Sequence, residues 1–411
     1  MANKNIEQSG FTRRKMIAGS AAAVSTLALP AYLNKATAAT AIKIGIPTVI
    51  TGGYAVLGSH VMRTCKLVEK MRNASGGVLG RPIEFVFKDT MGKPADAVRK
   101  CQELVERDDC RIFTGVVVSS EARAIMPKLE EWKAFFISHG NGDGQLTAKH
   151  YVDNFFRANT SAPMGARALA LYLKDGKEQD YFAIGSDYAW GHSSVKAFTS
   201  QITSAGKTMV GSVFAPVGTK DYSTYITKIL QSKAQGCYVA LQGDEGRAFY
   251  SQAQQYGLAE RVQMVTEIVA QANIRALGKD SVGLLGSSRY PFTYENDANK
   301  KFVSAFQAEY KDEIPDWSDG EQYQALDILF KAMEKADSDE AKKIVAAMEG
   351  LEVNSVKGAT LMRKCDHQGE NQGFIVKVTE VPGQSEPVPK ILKIYSRDKI
   401  TPDCRATTYS S

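Results

Sequence analysis

From Ile42 onward the hydrophobic positions fall into short apolar runs separated by longer stretches of helical period. Residues 42–49, 83–88, 112–118 and 134–138 read as buried strands, and 61–71, 95–107 and 122–132 between them read as helices. The scheme then restarts. Strands are predicted at 181–186, 208–215 and 236–243, with a helix through Val195, Phe198 and Ile202 that Gly206 ends. Tyr222, Tyr225, Ile226, Ile229 and Leu230 recur at i, i+3, i+4, i+7 and i+8, which predicts an amphipathic helix capped by Asp221. Regular strand–helix alternation predicts an α/β protein with parallel sheets covered by helices on both faces, in two successive halves. A shorter third section opens with the extended run "LLGSSRYPF" at Leu284, followed by helices over 297–310 and 320–335. Beyond Gly350 come short strands and turns, with "GENQG" at 369–373 as a hairpin-like connection and "EVPGQSEPVP" at 380–389 as an exposed loop.

A chain of 411 residues, 44% hydrophobic, can bury a sizeable core. Its formal charge of +6 is concentrated at the start: Lys4, Arg13, Arg14, Lys15 and Lys35 against Glu7 make +4, leaving +2 for the rest. That remainder gives no nucleic-acid footprint, and no nucleic-acid partner is expected. The segment 1–39 reads instead as a twin-arginine signal peptide: "TRRKMI" at 12–17 precedes an alanine-rich apolar run to Leu29, and "ATAA" at 36–39 offers a cleavage site near Ala38 or Ala39. The run is too short to span a bilayer comfortably. A protein exported to the periplasm is expected, touching the membrane only through a partner.

The cysteines Cys65, Cys101, Cys110, Cys237, Cys365 and Cys404 would meet an oxidising compartment, where their even number permits disulfides. Spacing leaves the connectivity open. Cys365 and Cys404 could tie down the C-terminal tail, while Cys65 and Cys237 fit small buried apolar positions. No Cys-x-x-Cys pair calls for a metal, and none is expected.

In doubly wound sheets, ligands bind beyond the carboxyl ends of the strands. The loop after the first strand, "TGGYAVLGSH", has three glycines at 52, 53 and 58, in neither the GxGxxG nor the P-loop arrangement. It reads as a tight turn that aims Tyr54 and Leu57 toward a cleft. Further strand ends carry "SSEAR" at 119–123, "SHGNGDGQLT" at 138–147, "GSDYAWGHSS" at 185–194, "LQGDEGR" at 241–247 and "TEIVAQ" at 266–271. Backbone N–H groups at helix starts there favour an anionic group. The five histidines include His139 and His192 on these loops and His60, expected at the surface, but there is neither an HExxH zinc motif nor a GxSxG elbow. No enzyme activity and no cofactor are expected.

The segments "IKIGIPTVITGGYAVLG", "GGVLGRPIEFVFKDTMGKPADAV", "FTGVVVSSEARAIMP", "PVGTKDYSTYITKIL" and "YVALQGDEGRAFYSQAQQYGL", in this order, resemble the periplasmic solute-binding proteins of ABC transporters, in the Leu/Ile/Val-binding branch. The resemblance covers almost the whole mature chain. It implies a type I periplasmic binding protein fold: two Rossmann-like doubly wound lobes joined by a three-strand hinge, lobe one at 41–159 plus 289–352 and lobe two at 160–288 plus 353–411. It implies that a ligand carboxylate is held by the loops matching Val118, Ser119 and Ser120 and Gly140, Asn141 and Gly142. Trp190 matches an aromatic that stacks on the ligand, and Glu267 matches an acid that holds its ammonium.

Three positions depart from the family pattern. Gly142 replaces a hydroxyl-bearing residue, Gln242 stands where an aromatic is expected, and Leu57 is the large residue over the aliphatic pocket. These changes turn the expectation away from an ordinary branched-chain amino acid, toward an amino acid, amide or aromatic acid still to be identified. The expected protein is a monomeric solute-binding component that delivers its small-molecule ligand to a permease and ATPase. The alternative is a ligand-sensing subunit for a signalling receptor.

Overall fold

The structure, a computed structural model, describes residues 40–311 and 313–407. The expected signal peptide and its cleavage position lie outside them. Among the described residues no helix is long and apolar enough to cross a membrane.

The first sheet is built from β1 (Ile42–Thr48), β2 (Ile83–Asp89), β3 (Ile112–Phe113), β4 (Phe135–Ser138) and β5 (Phe155–Arg157). The second is built from β6 (Asp180–Ser186), β7 (Thr208–Ala215), β8 (Gly236–Ala240), β9 (Gln263–Thr266) and β10 (Leu285–Ser288). Both are parallel and share one topology: β2-β1-β3-β4-β5 is repeated as β7-β6-β8-β9-β10. The all-buried pattern of β4 and β8 explains their uninterrupted apolar sequences, since helices cover both faces. A three-stranded sheet follows, β11 (Glu352–Ser355), β12 (Gly358–Met362) and β13 (Gly369–Glu370). Then β14 (Gly373–Thr379) and β15 (Val388–Tyr395) extend the second sheet antiparallel beyond β10.

The chain therefore passes between the two sheets after β5, after β10 and between β13 and β14. The third passage corrects two expectations. Residues 369–373 form no hairpin, because β13 pairs with β12 while β14 pairs with β10. The change of lobe also falls after residue 370 rather than at 352, because Val353 and Met362 share a core with Ile137, Phe156 and Leu329. At the first passage, Thr160 meets a fully buried ion pair, Lys357 Nζ to Glu321 Oε2 at 2.8 Å. Thr160 N–H donates to Glu321 Oε1 at 3.3 Å and Lys357 Nζ to Thr160 Oγ1 at 3.3 Å. Burial lowers the Lys357 pKa and raises that of Glu321, and each resists its shift by facing the other.

Several elements start earlier than their periodicity suggests. The first helix runs Ala55–Ala74, and the predicted helix at 320–335 begins at Trp317, where Asp316 and Asp319 form a capping box. The strand expected at 112–118 ends at Phe113, and a helix starts at Ser119 rather than 122. Asp221 accepts from Ser223 N–H at 2.9 Å, one residue before the N-cap Tyr222. His60, expected at the surface, is buried, with Nδ1 3.9 Å from both Asp316 and Asp319. Cys365 and Cys404 form a disulfide, and Cys65, Cys101, Cys110 and Cys237 are free and buried.

Candidate ligand-binding site

The strand order reverses direction beside β1 and β6, and loops leaving the carboxyl ends of the two sheets meet across a cleft. In "TGGYAVLGSH", the glycine at 58 is needed for packing: a Cβ there would lie 1.8 Å from the Val49 carbonyl oxygen. The helix thus abuts the end of β1 and brings Tyr54 and Leu57 into the cleft, both buried against Val118 and Trp190 in one core. The Tyr54 hydroxyl crosses to the second lobe, donating to Glu245 Oε1 at 3.1 Å and lying 3.2 Å from Ser186 Oγ. Ser186 Oγ also donates to Glu245 Oε2, and burial raises the Glu245 pKa.

On the first lobe, Val118 is the N-cap of Ser119–Ile125, and its N–H donates to Glu121 Oε2 at 3.2 Å. Burial pushes the Glu121 carboxyl up to about 7. Ser119 Oγ accepts from Asp143 N–H at 3.3 Å, so its hydroxyl braces the neighbouring loop. Ser120 is half-buried and lines an interlobe pocket of about 490 Å³ with Arg123, Asp143, Tyr188, His192 and Lys196. Asn141 is spent internally: its N–H and Oδ1 both bond Ser138 Oγ, at 3.1 and 2.8 Å, and Nδ2 donates to Val117 O at 3.2 Å. It shapes the loop that presents the Gly140 and Gly142 carbonyls, and Gly142 O accepts from Ala162 N–H at 2.8 Å at the first passage between lobes.

On the second lobe, Trp190 sits in the first turn of Ala189–Ser204, 4% exposed, and its Nε1–H donates to Glu267 Oε1 at 3.2 Å. Gln242 is the N-cap of Gly243–Gln255; its Nε2 donates to Ile268 O at 3.1 Å and its Oε1 has no partner among the described residues. Glu267, expected to hold a ligand ammonium, instead has both oxygens engaged by the protein. Oε1 accepts from Trp190 and from Arg289 Nη2 at 2.9 Å, and Oε2 accepts from Ser194 Oγ.

Arg289 is the residue that sequence reasoning missed. It follows β10 directly, is 3% exposed, and donates through Nη1 to Gly140 O at 2.8 Å, so one guanidinium touches both lobes. It lies 5.3 Å over the Trp317 ring; in the same cleft the ring centroids of Tyr54 and Tyr188 are 5.8 Å apart and those of Tyr188 and Trp190 5.9 Å. The signal was present in "GSSRYPF": a lone cation at the carboxyl end of an apolar strand meets the rule applied to every other loop. Buried His139, on the loop after β4, is held near pKa 3, first by burial and then by the Arg289 charge.

A larger pocket, about 980 Å³, lies at the amino ends of β8 and β9, lined by Gln235, Gln263 and Gly283, away from all these residues. The potential metal ligands Cys365, Asp366 and Cys404 lie close together, but both thiols are consumed in the disulfide.

The fold has two α/β lobes of the same strand order, with a cleft at their facing strand ends. Residues 41–384 match the family model described as periplasmic binding protein, and the chain belongs to that family. It is 25% identical over 348 residues to Leu/Ile/Val-binding protein homolog 6 of Brucella suis, covering 82% of this chain and 87% of that protein. It is 24% identical over 367 residues to the leucine-, isoleucine-, valine-, threonine- and alanine-binding protein of Pseudomonas aeruginosa, covering 87% and 94%. Among solved structures, it resembles a solute-binding protein of an ABC transporter from Rhodopseudomonas palustris in complex with 3,4-dihydroxybenzoic acid, with TM-score 0.81, 21% identity, and coverage of 87% and 98%. An amino acid ABC transporter substrate-binding protein from Pseudomonas fluorescens gives TM-score 0.81 at 20% identity, covering 90% and 99%. The family is one of periplasmic solute-binding proteins that pass small ligands to a membrane permease and its ATPase, not an enzyme family.

Proposed function

We propose that this chain is exported by the twin-arginine pathway and captures a small carboxylate-bearing or polar molecule, an amino acid, amide or aromatic acid, for import. The ligand contacts in this reading come from Tyr54, Leu57, Val118, Ser119, Ser120, Gly140, Gly142, Trp190, Gln242 and Glu267, with Arg289 added. Asn141 supports its loop. The observation that carries the reading is the cleft itself: buried polar groups from both lobes meet beside a line of aromatic rings at the switch point of two doubly wound sheets. A ligand that touches both lobes binds the closed form better and shifts that population.

The test is purification from the periplasm of the native host, followed by mass spectrometry of whatever small molecule denaturation releases. Stoichiometric release of one such compound is expected. Co-purification with a permease and ATPase supports import, whereas co-purification with a receptor kinase favours the sensing role.

A further inference from the structure

We infer that Arg289 is the anchor for the ligand's head group, and that this head group is a carboxylate with no neighbouring amine. The inference rests on the capture reading above and deepens it. Glu267 and Arg289 form one buried pair but differ in how far each is satisfied. Glu267 accepts from Trp190 Nε1, Ser194 Oγ and Arg289 Nη2, so both of its oxygens are occupied, and an ammonium would have to displace a protein donor. Arg289 presents a five-donor fork. Its bonds to Gly140 O and Glu267 Oε1 engage one hydrogen on each terminal nitrogen, leaving part of the fork to bind a planar acid. Beneath it lies the Trp317 ring, whose buried Nε1–H has no partner among the described residues.

Gly142 supports the same assignment independently. A Cβ at that position would lie 2.2 Å from Arg289 Nη2 and 2.6 Å from Trp190 Cδ1. The hydroxyl-bearing side chain that the family resemblance leads one to expect there would collide with the guanidinium. In this chain the space that a side chain at 142 would fill is taken by the Arg289 guanidinium, a charged donor arriving from the crossing after β10.

The experiment is calorimetric titration of the full mature protein, freed of bound ligand, with two probe sets matched in body and differing in head. One set is benzoate, benzamide and L-phenylglycine; the other is 4-methylpentanoate, 4-methylpentanamide and L-leucine. In at least one set, the acid should bind about tenfold or more tightly than both its amide and its amino acid. Arg289→Lys should weaken that acid by about tenfold or more, since an ammonium cannot reproduce the fork. Gly142→Ser, which keeps the arginine but crowds it, should also weaken acid binding. Melting curves and near-UV circular dichroism show whether each variant is folded, and Gly142→Ser decides if Arg289→Lys is not. An amide equal to its acid, an amino acid preferred over it, failure of both acids to bind, or undiminished acid affinity in the Gly142→Ser protein would overturn the assignment. L-leucine binding with lobe closure would leave the capture reading standing and remove only the Arg289 anchor.

Discussion

Arg289 and Glu267, 22 residues apart in sequence and both almost fully buried, meet at 2.9 Å between Nη2 and Oε1 where the two lobes close. Neither charge can be removed without leaving the other unpaired in a low-dielectric cleft. If the ligand is an amino acid, Glu267→Gln should weaken it by roughly 2–5 kcal/mol, because a buried ammonium loses its partner. If the ligand is an acid lacking an amine, the same change should be mild or favourable. Trp190→Ala should weaken either ligand, through lost buried area and about 0.5–1.5 kcal/mol of aromatic packing. Titration of both variants with the released ligand separates the cases, and unaltered affinity in both would remove these residues from the site.

The fold was legible because its cause is local. Parallel strands covered on both faces must be continuous apolar runs, and these stand out between helices with a polar side. The loop after the first strand pointed to Tyr54, whereas Val118, Trp190 and Glu267 came from the family resemblance and not from the strand pattern; Tyr54, Val118 and Trp190 share one core, and Trp190 reaches Glu267. Arg289 escaped because "LLGSSRYPF" was treated as one extended run, although β10 stops at Ser288 and the arginine opens the next loop. Trp317 escaped because the helix start was placed at Gly320, despite the Asp316 and Asp319 capping box. The partners that occupy Glu267 come from Arg289 and from Ser194 on a helix, contacts between distant segments that no periodicity reports.

Two buried groups make stability depend on pH in opposite directions. Glu121, raised by burial from 4.5 to about 7, favours folding below its unfolded pKa, and this contribution is lost as pH rises through about 7. His139, lowered by burial from 6.5 to about 3, favours folding above 6.5, and this is lost as pH falls toward 3. Melting series across this range should therefore show that Glu121→Gln removes loss on the neutral side, by about 3 kcal/mol, and His139→Gln removes loss on the acid side. Parallel curves for wild type and both variants would show that neither group is linked to folding as argued.

The Cys365–Cys404 disulfide closes a 39-residue separation and ties the C-terminal tail to the three-stranded sheet, where Arg363 Nη1 also donates to Pro402 O at 2.7 Å. Cys404→Ser should cost about 2–4 kcal/mol in denaturant unfolding, and reductant should lower wild type to the variant's level. Equal midpoints for wild type and variant under oxidising conditions would count against a structural role.

Export should depend on the arginine pair. Replacing Arg13 and Arg14 by Lys should leave the protein in the cytoplasm, scored by cell fractionation. Efficient arrival of the double variant in the periplasm would contradict twin-arginine targeting.

The most direct test of capture by closure is small-angle X-ray scattering of ligand-free mature protein before and after saturation with the molecule released from the native preparation. Residues from both lobes meet around Arg289, so saturation should convert an open population into a closed one and reduce the radius of gyration. An unchanged radius on saturation would contradict an interlobe site and place the ligand on a single rigid lobe.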